Sequence, residues 1–247
     1  MKRLLDICFS SFALILTAPL LIPVCFLIWL QDRHSPLYIA ERVGRHHRPF
    51  RMVKIRSMVV RADQSGVDST AGNDKRITPL GHFVRKLKLD ELSQLWNVLN
   101  GDMSLVGPRP NVPREVATYT SEENQLLEVR PGITDISSIV FADEGDILHG
   151  AEDPDLRYNQ IIRPWKSRLG LLYIQKNSFL LDQKLILLTV ANSCARDWTL
   201  KEISKIVAKL GGGSELQEVA SRCRPLTPKP PPGAQEVVSK RFQQKKG

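Results

Sequence analysis

The chain has 247 residues, enough to bury a sizeable core in one main domain with appendages. Thirty-five Lys and Arg against 26 Asp and Glu give a net charge of +9, which points to an anionic partner: nucleic acid, a phospholipid surface or a phosphorylated small molecule. Four scattered cysteines, Cys8, Cys25, Cys194 and Cys223, with no CxxC pair and no His in zinc spacing, exclude a disulfide framework and a zinc site.

Residues 4–30, "LLDICFSSFALILTAPLLIPVCFLIWL", carry one charge, Asp6. A helix of that length reaches about 40 Å, more than the hydrocarbon core of about 30 Å. Two features argue against a simple crossing. Pro19 and Pro23 sit mid-segment, each removing a backbone donor and favouring a kink. Both flanks are basic: Lys2 and Arg3 precede the segment, and Arg33, Arg42, Arg45, Arg48, Arg51, Lys54, Arg56 and Arg61 follow it. The positive-inside tendency then holds both ends in the cytosol, so residues 1–32 are predicted as a re-entrant helix kinked at Pro19. The competing reading is a kinked spanning helix.

Short alternating runs over 36–61 predict strands, and the Asp-, Gly- and Ser-rich stretch 62–79 predicts a loop. Helical periods follow at 80–87, 90–99 and 111–130. Apolar residues recur at helical spacing over 171–193, a stripe suited to a core or to rest on a bilayer surface. From Gly211 the composition turns to "GGG", "PKPPPG" and "SKRFQQKKG", which predicts a flexible basic tail able to meet anionic headgroups. His46 and His47 read as solvated basic residues rather than metal ligands.

The stretch 89–110, "LDELSQLWNVLNGDMSLVGPRP", concentrates the chemistry. On a helix, Leu89, Leu92, Leu95, Trp96 and Leu99 share one side. Asp90, Ser93, Gln94 and Asn97 lie opposite, with Glu91 at the border. First-turn backbone donors favour an ionised carboxylate at Asp90, although acids there also serve simply as caps. Gly101 closes the helix, and Pro108 and Pro110 restrict Arg109, whose guanidinium suits bidentate contact with phosphate oxygens.

"KLDELSQLWNVLNGDMSLVGPRP" resembles the signature of the bacterial sugar transferases, the monotopic phosphoglycosyl transferases. "FRMVKIRSM" (50–58), "NDKRITPLGHFVRKLKLDEL" (73–92), "VRPGIT" (129–134) and "DQKLILLTV" (182–190) match in order, so the similarity covers about residues 1–195. The resemblance implies transfer of sugar-1-phosphate from a UDP-sugar to a polyprenyl phosphate, with release of UMP. It makes Asp90 the nucleophile that carries a covalent phosphosugar, Glu91 its partner, and Mg²⁺ the cofactor. Lys54, Arg85 and Arg109 are the candidate phosphate-binding cations, with Arg56 and Arg76 as further candidates. Glu91 is left either to hold Mg²⁺ or to position the acceptor.

The expected fold is mixed α/β, mainly helical: a monotopic membrane protein whose re-entrant helix (1–32) precedes a cytosolic catalytic domain (33–200) bearing interfacial amphipathic helices. A helix end and tail (201–247) follow. The implied location is the cytosolic face of a bacterial inner membrane, with oligomeric state open and a homodimer among the options. The chain departs from the family pattern at Ala18-Pro19, where members often have Ser-Pro, and after "PGIT", where "DISSIVFADEGD" replaces an aromatic-containing run. Asp143, Glu144 and Asp146 there are either sugar contacts or an exposed acidic loop. The expected form is the compact one, without the long multi-span N-terminal region of larger members. Two other function classes stand beside the transferase reading: a tethered nucleic-acid binder, which the charge permits, and a nucleotide-sugar hydrolase that would use Glu91 to activate a metal-bound water. Neither a reader motif nor an aromatic excess supports the first, since aromatics are 6% of residues.

Overall fold

A computed structural model describes residues 2–239. The basic run 240–247, part of the predicted tail, lies outside the described residues. The chain divides into two compact units: Met1–Ser65, Lys75–Thr118 and Leu127–Asp135 form the first, and Gly66–Asp74, Tyr119–Leu126 and Ile136–Gly247 the second.

The first unit opens with α1, Lys2–Asp32, a single 31-residue helix through both Pro19 and Pro23. It is long and apolar enough to cross a membrane. The Thr17 hydroxyl donates to the Ala13 carbonyl at 2.7 Å, a back-bond one residue before the Ala18-Pro19 step. Only the ends of α1 are packed. Asp6 and Ser10 are buried near its start and Val24 and Ile28 near its end, whereas Phe12, Ile15, Leu16, Leu20 and Ile22 between them are exposed.

Two strands follow, β1 (Leu37–Val43) and β2 (Pro49–Ile55), antiparallel with Leu37 opposite Ile55 and Val43 opposite Pro49. His46 and His47 form their connection, both with positive φ. After a loop come α2 (Pro79–Lys86), α3 (Leu89–Leu92) and α4 (Leu95–Asn100). Gly101 ends α4 at φ 91°, in the left-handed C-cap that glycine adopts without strain. Then β3 (Ser104–Val106) pairs in parallel with β4 (Gly132–Thr134), and the single turn α5 (Pro113–Val116) lies between them in sequence.

The predicted helix over 90–99 is two short pieces, and its faces are not those of the hydrophobic pattern. Trp96 is 54% exposed, whereas Ser93, Gln94 and Asn97 are buried. The reason is the open edge of β2. Val53 N donates to Asn97 Oδ1 at 2.9 Å, and Asn97 Nδ2 donates to Arg51 O at 2.8 Å. Ile55 N donates to Ser93 Oγ at 3.1 Å, and that hydroxyl lies 3.2 Å from Val53 O. Residues 93 and 97, one helical turn apart, thus stand in for a third strand, because buried backbone groups demand partners. Asn97→Ala is expected to cost about 2–3 kcal/mol by stranding two of these groups. Trp96→Ala is expected to cost less than ~0.5 kcal/mol. Thermal unfolding of the two variants side by side checks this, and equal losses would contradict it.

The second unit is helical: α6 (Ser121–Asn124), α7 (Ile136–Val140), α8 (Glu144–Ile147), α9 (Pro154–Ile161), α10 (Arg163–Lys176), α11 (Phe179–Ala191), α12 (Arg196–Lys209) and α13 (Ser214–Ser221). Trp165, Leu169, Tyr173, Leu185 and Ile203 are fully buried in it. Instead of one helix over 111–130 the chain makes separate turns, because Pro113 and the Thr120–Glu123 capping box each start a new one. On α11 the predicted apolar stripe splits. Leu181, Leu185 and Leu188 are buried, and Leu180, Leu187 and Val190 are at least 70% exposed.

The stretch from Gly211, expected to be a flexible appendage, is ordered through residue 239. Lys229 N donates to Gln160 O at 3.0 Å, Thr120 Oγ1 to Pro232 O at 2.5 Å, and Gln160 Nε2 to Val238 O at 2.9 Å. Proline-fixed φ values lower the entropy lost when such an extended segment docks, which composition alone does not reveal.

Candidate active site

The candidate residues Lys54, Arg85, Asp90, Glu91 and Arg109 all belong to the first unit. Lys54 sits on β2 between Val53 and Ile55, the two residues bonded to the Ser93–Asn97 ladder, so the ladder fixes the strand from which its side chain projects. Arg85 leaves the last turn of α2 and donates from Nε to Ser57 Oγ at 3.0 Å. Between α2 and α3 the chain turns through Lys88 in the left-handed region, φ 53°, a costly conformation for a side chain with a Cβ. That turn restarts the helix and places Asp90 and Glu91 in its first turn.

Arg109 is delivered from the other side by β3. Gly107 and Gly132 face each other across the β3–β4 pair so closely that a Cβ on Gly132 would lie 2.1 Å from Gly107 N. Gly107 N donates to Thr134 O and Gly132 N to Pro108 O, both at 2.9 Å, clipping "VGPRP" to "RPGIT". Beyond this clip Arg109 Nη1 donates to Glu91 Oε1 at 2.9 Å, with the two side chains 34% and 26% exposed.

The charges act on one another. Burial is the main influence on Lys54, and with the like charges of Arg109 and Arg42 it brings the ammonium pKa down to about 8 against the pull of Asp90 and Glu91. Burial also raises Asp90 above the ordinary carboxylate value, Lys54 opposes it, and neighbouring Glu91 adds to the rise. The ionisation expected from first-turn donors alone is therefore too simple. Glu91 is pushed up by burial, but Arg109, Lys88 and Lys54 outweigh that and hold it low. Two adjacent carboxylates are thus driven apart: Glu91 is held as an anion paired with Arg109, and Asp90 is disfavoured in its charged form. Neither caps the helix. Among the described residues no group hydrogen-bonds the Asp90 carboxylate.

Among the described residues no three His, Cys, Asp or Glu side chains gather as a metal group. Mg²⁺ needs fewer, because it keeps several waters and is held by one or two carboxylates together with substrate phosphates. Adjacent hard-oxygen donors at 90 and 91, one of them without a hydrogen-bond partner, fit such an ion.

Other candidates lie elsewhere. Arg56 is not a phosphate ligand in waiting: it is buried and grips Asp32 bidentately at 2.6 and 2.7 Å while donating to Ser35 O, which closes the end of α1 onto β2. Arg76 ties a loop, donating to Ser65 Oγ and Ala62 O. Asp143 is held by Arg196 and Arg222 and Glu144 by Lys166, all within the second unit. Sequence reasoning missed Ser57, Ser93 and Asn97. Their signal was weak, three small polar residues whose partners are backbone groups or a distant arginine.

Residues 1–196 match the model of the bacterial sugar transferase family. A Bacillus subtilis protein described as a putative undecaprenyl-phosphate N-acetylgalactosaminyl 1-phosphate transferase is 42% identical over 121 residues, 49% of this chain and 68% of that protein. A Klebsiella pneumoniae UDP-glucose:undecaprenyl-phosphate glucose-1-phosphate transferase is 36% identical over 193 residues, 76% of this chain and 39% of that protein. An uncharacterized sugar transferase of Bacillus subtilis is 34% identical over 190 residues, 77% of this chain and 85% of that protein. The chain spans about a third of the length of the longer curated relatives it matches.

Proposed function

The chain belongs to the bacterial sugar transferase family, and from that premise we propose that it moves sugar-1-phosphate from a UDP-sugar to a polyprenyl phosphate, releasing UMP. The observation that carries the proposal is the half-buried Asp90 carboxylate, without a hydrogen-bond partner and within electrostatic reach of Lys54, Arg85 and Arg109. An anion can approach a diphosphate only where its charge and that of the phosphate are offset.

A carboxylate oxygen of Asp90 attacks the β-phosphorus of the donor, and the bond from that phosphorus to the bridging oxygen breaks. UMP leaves with the electron pair, and a phosphosugar remains on Asp90. An oxygen of the polyprenyl phosphate then attacks the same phosphorus and restores the carboxylate. Arg109 and Lys54 offset charge on the transferred group, and Arg85, oriented by Ser57, steadies Asp90. Mg²⁺ held at Glu91 and the donor's phosphates would supply further charge neutralisation.

A membrane setting at the cytosolic face suits the acceptor, whose tail stays in hydrocarbon. Both ends of α1 are packed while its apolar middle is exposed, which supports a helix that dips into one leaflet and returns. Exposed Phe83 in α2, Leu87 at its C-cap and Trp96 on α4 add apolar surface near Asp90 in the chain.

The test is purified protein with radiolabelled UDP-sugar, with and without polyprenyl phosphate. Lipid-linked product together with UMP is expected. Free sugar phosphate formed at full rate without acceptor would instead make the protein a hydrolase. The same assay reads the charges through pH. Lys54 is cationic below its pKa of about 8, so kcat/KM is expected to fall as pH rises through that value. The acid limb, set by the raised Asp90, is expected above the ordinary carboxylate range. Lys54→Arg is expected to move the alkaline limb upward by more than a unit, since a guanidinium stays charged. An unmoved limb would take Lys54 out of the site.

A further inference from the structure

The apolar segment contains one acid, and the reaction proposed above does not use it. Asp6 is 3% exposed. Its Oδ2 accepts from Ser104 Oγ at 2.9 Å and its Oδ1 from Leu105 N at 3.1 Å. Both donors lie on β3, the strand that runs through the Gly107–Gly132 clip into Arg109. The first turn of α1 strengthens the same grip. Lys2 Nζ donates to Val106 O at 2.9 Å, and Arg3 donates to Val98 O and Leu99 O at the end of α4, the latter at 2.7 Å.

The other end of α1 is seated differently. Val24 and Ile28 pack in one cluster with Ile55, Val84 and Leu89, the neighbours in sequence of Lys54, Arg85 and Asp90. One helix therefore touches the supports of every charged group in the site: an apolar plug under the nucleophile side, a polar clamp on the arginine side. A buried carboxylate in an otherwise apolar helix is costly unless it is fully bonded, and here its bonds are spent on β3.

We propose that Asp6 is a positioning residue for the transfer reaction, holding β3 so that Arg109 meets the donor's phosphates, and that α1 is a working part of the active site as well as an anchor. The inference rests on the reading given under the proposed function. With the clamp released, β3 loses a side-chain acceptor for Ser104 and for the Leu105 amide, and Arg109 loses its fixed origin. A displacement on the order of 1 Å suffices for a ~10²-fold loss.

The test uses the full chain in lipid nanodiscs, with Asp6→Ala, Arg109→Ala and the double variant. Asp6→Ala is expected to lower kcat/KM for the UDP-sugar by about 10–100-fold per folded molecule. In the Arg109→Ala background it is expected to cost little more, because both changes remove one contribution. A loss of the same factor in both backgrounds would overturn the proposal, as would full activity of Asp6→Ala. Where Asp6→Ala does not fold, Ser104→Ala removes one of the two bonds, and the same cycle with Arg109→Ala decides. Hydrogen exchange over 104–109 is read in parallel and needs no turnover. If wild-type protein releases no UMP, the functional reading fails on its own. Faster exchange in Asp6→Ala then still supports the clamp, and unchanged exchange refutes it.

Discussion

Asp90→Asn is expected to abolish UMP release, by about 10⁴-fold or more, and to leave the protein folded and slightly more stable than wild type. The carboxamide matches the carboxylate in size, so no cavity opens and the packing of Leu89 is untouched. What changes is charge and nucleophilicity. No lone pair on the amide attacks phosphorus as a carboxylate oxygen does, and the loss of a covalent nucleophile ranks among the largest single effects in enzymes. The stability sign follows from the raised pKa. Burial and Glu91 both disfavour ionised Asp90 in the folded protein, so above that pKa the charge costs stability, and the neutral variant escapes this cost. A higher unfolding midpoint together with lost turnover is the pattern of a site built at the expense of stability. A variant that loses both would mark Asp90 as structural.

Arg109→Ala is expected to lower kcat/KM by on the order of 10²–10³-fold, with Arg109→Lys recovering only part. The arginine does two jobs. In the proposed reaction its guanidinium faces the transferred group, and its Nη1 donates to Glu91 at 2.9 Å. Removing it leaves a Glu91 that burial pushes up and that only Lys88 and Lys54 then hold down. The Glu91 pKa is therefore expected to rise in the alanine variant, and Asp90, which Arg109 also holds down, rises with it and draws the acid limb of the pH–rate profile upward. Lysine keeps the charge but loses the fork, so the limb is expected to return further than the rate does. Measuring both variants over pH separates these roles. An unshifted acid limb in Arg109→Ala would take the arginine out of the electrostatics of Asp90.

The sequence announced the long apolar helix, the hairpin strands and the stretch 89–110 through period, Pro and Gly placement, and charge. Those signals are local: a long apolar helix and the two hairpin strands form where they are expected, whereas the helix over 90–99 divides into α3 and α4. The faces of the 90–100 segment were not legible, because hydrophobic pattern assumes that polar residues seek water. Ser93 and Asn97 instead satisfy the edge of β2, some 40 residues away in sequence. Arg56 failed for a related reason. A basic residue near a predicted strand reads as a ligand until its partner Asp32, at the end of α1, comes into view. Asp6 stood out as the lone charge in its segment, yet its purpose depends on β3, which pattern alone does not place against α1. The docking of the tail through residue 239 is not legible in composition, because proline-rich sequence is shared by linkers and by segments that dock in extended form.

The most direct measurement is mass analysis of the protein mixed with UDP-sugar alone and quenched before any acceptor is added. The account expects a mass increase equal to one phosphosugar, on the peptide carrying residue 90, that disappears when polyprenyl phosphate is supplied and is absent from Asp90→Asn. An unmodified protein that nonetheless goes on to form lipid-linked product, or an adduct that maps to another residue, would contradict it.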